Sequence, residues 1–158
     1  MLDWSAVFLT SEKSIDEAYA GLGYAAFALT MTAGRLMGDT IVRRLGARLV
    51  IVLGGLFAAA GMALATLASS WEVALLGYAL VGVGCSNIVP VLYTAVGKQT
   101  VMPEHIAVPA ITTLGYAGIL AGPAAIGFIA HASSLSSAFL LITAMLLAVA
   151  ISGRILRV

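Results

Sequence analysis

Arg35, Asp39 and Arg43 recur at four-residue spacing within one short stretch of the chain. In a continuous helix that spacing places all three on one face. A carboxylate four residues from each of two guanidiniums can pair with them by charge; it has no partner with which to break a covalent bond. Gly34 and Gly38 alternate with these charges and let a second helix approach closely on the same side. Arg44, Gly46 and Arg48 complete the stretch, which carries four of the eight Lys+Arg residues. Read from the residues alone, it is a solvated turn marked by its charges.

The other candidates are polar side chains set in apolar sequence. Asn87 is the most polar of them, and a buried amide in hydrocarbon must face a partner helix or a wet cavity. Ser86, Pro90, Tyr93 and Thr94 extend the same polar, kink-prone face. Thr112, Thr113 and Tyr116 form a second group on adjacent turns, and Tyr24 stands alone in an earlier apolar run. Such hydroxyls and rings suit hydrogen bonding and stacking on a sugar-like ligand, and they suit helix packing equally well. Asp3 and Trp4 lie at the start of the chain, where an acid within apolar sequence is a functional candidate. His105 and His131 have no second ligand at metal spacing. No nucleophile–base arrangement and no phosphate-binding glycine loop occurs, which argues against an enzyme and an ATP-driven pump. The sequence calls for no metal and no cofactor.

These residues need helices to hold them. The chain is 61% hydrophobic and 9% charged, with mean hydropathy +1.08. Soluble domains average about 45–50% apolar and about 25% charged, so an all-α integral membrane protein in contact with the lipid bilayer is expected. Charged islands separate apolar stretches of roughly 18–25 residues, enough to cross a hydrocarbon core of about 30 Å. The pattern predicts a partial helix over about 1–10 and spans over about 15–37, 47–68, 71–97, 104–130 and 136–156. Ser14 with Glu17 and Ser69 with Glu72 fit capping boxes at two helix starts. Spans 47–68 and 136–156 are nearly without polar groups and read as lipid-facing walls. The alternating polarity of a β-barrel is missing. A net charge of +1 with no basic patch argues against nucleic acid. The single Cys85 allows no internal disulfide, and Met1–Trp4 has no basic leader.

The basic stretch also orients the chain. With the 38–48 loop on the cytoplasmic side, Arg35, Arg43, Arg44, Arg48, Lys98, Arg154 and Arg157 share that side and Lys13 alone is opposite. Seven cations against one follows the positive-inside rule and puts the C-terminus in the cytoplasm. Leu22-Gly23-Tyr24-Ala25 recurs as Leu114-Gly115-Tyr116-Ala117 in a span of opposite direction, as inverted three-helix repeats would require.

Gly34-Arg35-Leu36-Met37-Gly38-Asp39, followed by Arg43-Arg44-Leu45-Gly46, resembles the cytoplasmic loop motif of the major facilitator superfamily. Thr40 departs from it, standing where the motif has Arg or Lys, and extra residues precede Gly46. Asp3-Trp4-Ser5-Ala6-Val7-Phe8-Leu9, Asn87-Ile88-Val89-Pro90-Val91-Leu92 and Thr113-Leu114-Gly115-Tyr116-Ala117-Gly118 resemble the C-terminal half of its MosC-like branch, which includes sugar- and rhizopine-type permeases. The resemblance covers essentially the whole chain. It implies the C-terminal six-helix half of a helical bundle with its first helix truncated. It also implies a bacterial inner-membrane location and secondary transport of a small polar solute by alternating access. Gly34, Arg35, Gly38, Asp39, Arg43, Arg44 and Gly46 would form the gating motif. Asn87, Tyr116, Thr113, Tyr24, Tyr93, Asp3 and Trp4 would line the solute cavity. Transporters of this family form their pathway between two halves, so a missing N-terminal half is the expected partner, in cis or in trans. The alternative is a truncated membrane protein with no transport of its own.

Overall fold

The computed structural model describes residues 4–154; Asp3 and Arg157 lie outside the described residues. The elements in order are α1 (Ser5–Lys13), a single 3-10 turn (Glu17–Tyr19), α2 (Leu22–Leu36), α3 (Gly38–Leu45), α4 (Ala47–Leu67), α5 (Trp71–Cys85), α6 (Ile88–Lys98), α7 (Glu104–Ala132) and α8 (Leu135–Ser152). No strand occurs among the described residues.

Helix boundaries differ from the expected ones where local chemistry intervenes. Ser14 closes α1 in the left-handed region (φ 52), so it cannot also cap a helix starting beside it. Asp16 supplies the cap instead, its carboxylate accepting the Ala18 amide at 2.9 Å. Only the three-residue 3-10 turn follows, and α2 opens at Leu22, not near residue 15. Its 15 residues reach about 22 Å at about 1.5 Å each, short of an apolar core of about 30 Å. At Trp71 the helix starts where expected, but its N-cap Ser70 makes no side-chain cap bond. Among the described residues four segments are long and apolar enough to cross a membrane: Ala47–Leu67, Trp71–Lys98, Glu104–Ala132 and Leu135–Ser152.

The third of the expected spans is broken. Pro90 has no N–H, so the carbonyl of Ser86 has no donor four residues on. The helix stops at Cys85 and restarts at Ile88, which puts Pro90 in a first turn, where free N–H groups are normal anyway. A second break falls at Met37, between α2 and α3. Gly46 then turns the chain into α4 with φ +80, a conformation open to glycine at little cost.

α4 packs against both α5 and α8 and is the central helix of the chain. This corrects the reading of 47–68 as a lipid-facing wall: Val50, Ile51, Gly55, Ala58, Ala59, Gly61, Met62, Ala65 and Thr66 are all buried. The contact with α5 is made by backbone. A methyl built on Gly61 would lie 2.6 Å from the Gly77 carbonyl oxygen, and one on Gly54 would lie 2.6 Å from the Gly84 carbonyl oxygen. On the opposite side a methyl on Gly55 would press against Ala150 of α8. Without a hydrophobic drive between helices in lipid, close approach of small residues is what joins them.

α1 closes one end of the bundle. The Phe8 ring stacks on Phe139 of α8 at 4.8 Å between centroids, and Phe8, Leu9, Tyr78 and Phe139 are fully buried. Lys13 Nζ donates to the Thr66 carbonyl at 3.1 Å and to that of Ala68, satisfying the C-terminal carbonyls of α4. The sequence marks Lys13 only as a lone cation; its place in the fold is that of a cap. Tyr78 Oη is buried without a hydrogen-bond partner among the described residues. Tyr78→Phe is therefore expected to cost nothing and to stabilise by about 1 kcal/mol, since it removes an unpaired polar atom and keeps the ring. A fall in the melting temperature of the detergent-solubilised variant would contradict this.

Candidate functional site

The two helix breaks lie against each other. In a continuous helix Gly38 would donate to the Gly34 carbonyl, but here Gly38 opens α3. Asn87, at the other break, donates its Nδ2 to the Gly34 carbonyl at 3.0 Å and to Ser86 Oγ at 3.0 Å. Its side chain is buried, and its Oδ1 occupies the space that a methyl on Gly38 would need. Gly34 is similarly tight, since a methyl there would lie 2.6 Å from Ser86 Oγ. An amide from one broken helix thus satisfies a carbonyl near the break in another, as buried irregular backbone requires.

A cavity of about 880 Å³ opens beside this junction. Arg35, Gly38, Asp39 and Arg43 form one wall; Asn87, Pro90, Tyr93, Thr94 and Lys98 of the α5–α6 segment form the other. The break at Met37 corrects the expectation of one uninterrupted helical face for Arg35, Asp39 and Arg43, yet all three still line this space. Asp39 falls in the first turn of α3, where a carboxylate complements the free N–H groups, and Arg43 and Arg44 fall in its last turn, where cations complement the carbonyls. Gly46 follows as the turn into α4.

Tyr93, on the cavity wall, reaches away from the junction to Thr112 of α7, hydroxyl to hydroxyl at 3.0 Å. The remaining candidates lie elsewhere. Thr113 donates to the Pro109 carbonyl of its own helix at 2.8 Å. Tyr116 is 63% exposed, on a helix whose only buried residue is Ala107. Tyr24 packs at a tilt on Phe27, 6.2 Å between centroids. Tyr24, Tyr116 and Thr113 do not border the cavity. Trp4 is a packing residue: its indole N–H donates to the Pro123 carbonyl at 3.2 Å, and its ring covers Gly127. Asp3 lies outside the described residues.

Two residues of this region were not singled out from sequence. Thr30 donates to the Ala79 carbonyl at 2.8 Å and ties α2 to α5. Gln99 closes α6 by accepting from the amides of Val101 and Met102 and donating to the Met102 carbonyl. A glutamine just past a helix and just before a proline-started one is a weak turn signal, and no sequence signal marks Thr30. Among the described residues no three His, Cys, Asp or Glu side chains come together as a metal site.

A bundle of long apolar helices, with glycine-mediated contacts and broken segments beside a cavity of mixed charged and apolar lining, is that of a polytopic helical membrane protein. The family model described as Major Facilitator Superfamily matches residues 2–158, and the chain belongs to that superfamily. It is 56% identical over 154 residues to an uncharacterized MFS-type transporter of Yersinia pestis, covering 98% of this chain and 40% of that one. It is 35% identical over 143 residues to the membrane protein MosC of Rhizobium meliloti, covering 90% and 35%. An uncharacterized transporter of Sinorhizobium fredii is 30% identical over 156 residues, covering 99% and 41%. The chain thus spans roughly two fifths of the length of these curated relatives. No solved structure matches it.

Proposed function

We propose that this chain is the C-terminal helical half of a secondary transporter that moves a small polar solute, sugar-like in its hydroxyl content, by alternating access. The cavity shared by the Gly34–Arg43 stretch and the α5–α6 break carries this reading: charges that hold a conformation and polar groups near a solute path border one space. In this reading Asn87 is a positioning residue between the two breaks, and the gate is the stretch from Gly34 through Gly46. Tyr24, Thr113, Tyr116 and Asp3 would meet solute only together with a second helical half. That half is the proposed partner, since the matched relatives are more than twice as long as this chain. The proposed orientation has the 38–48 loop and the C-terminus in the cytoplasm, on the seven-to-one distribution of cations.

Uptake of labelled sugars and polyols into proteoliposomes tests this. This chain would be reconstituted alone and together with the part of the Yersinia pestis relative that lies outside the matched region. Saturable uptake only in the pair is the expected result. Uptake by this chain alone would overturn the need for a second half, and no uptake in the pair across the panel would overturn the sugar-like assignment.

A further inference from the structure

We propose that the cavity between α2, α3 and α6 is an anion site that takes a phosphate-bearing group. The inference goes beyond solute transport and is read from which groups on the walls still have hydrogen-bonding capacity to offer.

The neutral donors there are already engaged. Asn87 Nδ2 serves Gly34 and Ser86, and Gln99 is committed to the turn before α7. Tyr93 pairs with Thr112, and Thr94 donates to the Pro90 carbonyl at 3.0 Å. These neutral groups have little hydrogen-bonding capacity left to offer a ligand. The cations are different. Among the described residues the hydrogen bonds from cationic heads are those of Lys13, Arg43 and Arg48, and only Arg43 of these borders the cavity. That bond, to Thr40 Oγ1, is long at 3.4 Å and leaves most of the guanidinium unused. Arg35 and Lys98 border the same space, and among the described residues Asp39 is its single acid. Three cations against one carboxylate concentrate more positive charge here than the +1 of the whole chain.

Both arginines and the lysine sit near helix ends: Arg35 in the last turn of α2, Arg43 in the last turn of α3 and Lys98 in the last turn of α6. Three separate elements thus bring their cations to one mouth. Arginine forks match phosphate oxygens bidentately while a lysine adds a mobile point charge. The volume of about 880 Å³ lies within the range of about 300–1,000 Å³ typical of small-ligand sites. Two sources share this chemistry. One is the headgroup of an anionic phospholipid, since basic pockets between membrane helices hold such headgroups. The other is a free phosphate or phosphate ester from the aqueous side.

The test uses the purified chain in a neutral detergent and in nanodiscs. Inorganic phosphate is titrated while thermal unfolding is followed, and phosphatidylglycerol and phosphatidylcholine are compared for co-purification and competition with phosphate. Saturable stabilisation by phosphate that phosphatidylglycerol does not displace assigns a soluble anion. Selective retention of phosphatidylglycerol, with or without competing phosphate, assigns a lipid headgroup. In either case Arg43→Gln and Lys98→Gln each weaken binding about fivefold, as expected for one cation near a membrane surface. Asp39→Asn tightens it by a few-fold, and added salt weakens it. All three side chains are exposed, so these changes leave packing intact. The gain with Asp39→Asn is one that a purely structural role would not produce. Equal retention of the two lipids with no phosphate effect, or binding indifferent to Arg43→Gln and Lys98→Gln, overturns the proposal.

Discussion

Gly61→Val is expected to leave the detergent-solubilised chain largely unfolded at temperatures where the parent chain is intact. A Cβ added at Gly61 would lie 2.6 Å from the Gly77 carbonyl oxygen and 2.7 Å from the Val81 amide nitrogen. Both obstacles are backbone, so neither can rotate aside, and α4 and α5 must part. Overpacking a well-fitted interface costs about 1–3 kcal/mol, and a rigid backbone contact at the centre of the bundle places this case at the upper end. Gly77→Val, from the other side of the same contact, should behave alike. The comparison that gives the result meaning is Gly118→Ala on α7, where nothing lies within 4 Å of the added methyl. That change should not destabilise, and by helix propensity it should stabilise by up to about 1 kcal/mol. Thermal unfolding followed by circular dichroism reads both, and equal behaviour of Gly61→Val and Gly118→Ala would refute the central placing of α4.

The second large effect concerns Asn87 and Gly38 as a pair. Asn87→Ala leaves the Gly34 carbonyl without its donor and should destabilise by about 1–2 kcal/mol, near the top of the range for interhelical hydrogen bonds in membranes. Gly38→Ala should cost a similar amount by another route, because its methyl takes the place of Asn87 Oδ1 and forces the amide off its partners. The double variant is the telling one. With Asn87 truncated, the space beside residue 38 is vacant and the added methyl does no further harm. The two costs should fail to add by about 1 kcal/mol, where distant, independent sites would add to within about 0.5 kcal/mol. In the paired uptake assay the positioning role proposed for Asn87 makes the same variants change the maximal rate more than the half-saturating concentration. Strictly additive costs would remove the link between the breaks. An effect confined to the half-saturating concentration would make Asn87 a solute contact.

Much of this was legible in the sequence, because lipid imposes constraints that composition reveals directly. The long apolar runs, the basic stretch between them and the glycine–charge pattern from Gly34 to Gly46 follow from the cost of polar groups in hydrocarbon. That cost acts on each segment separately, so a linear reading captures it. Asn87 stood out for the same reason: a lone amide in an apolar run needs a partner. Which partner it has depends on a carbonyl 53 residues away, and no local rule points there. The expected helix at Ser14 failed because a capping box competes with the left-handed turn that ends α1, and the packing of Phe8 and Leu9 fixes where α1 sits.

The sequence by itself thus determined the class of protein, its family and the positions where polarity interrupts the helices. Those are properties of each segment's own hydropathy, propensity and motif. The tertiary structure alone decided that α4 is central, that two broken helices are joined through Asn87, and that Arg35, Arg43 and Lys98 meet at one cavity while Tyr24 and Tyr116 stand apart from it. Glycines that look alike in sequence separate in the fold. Gly54, Gly61 and Gly77 meet backbone, and Gly115, Gly118 and Gly122 meet nothing, because close contact is a property of two helices and their rotation about each other. Four-residue periodicity says that side chains share a face of a helix; only the packed bundle says what that face meets.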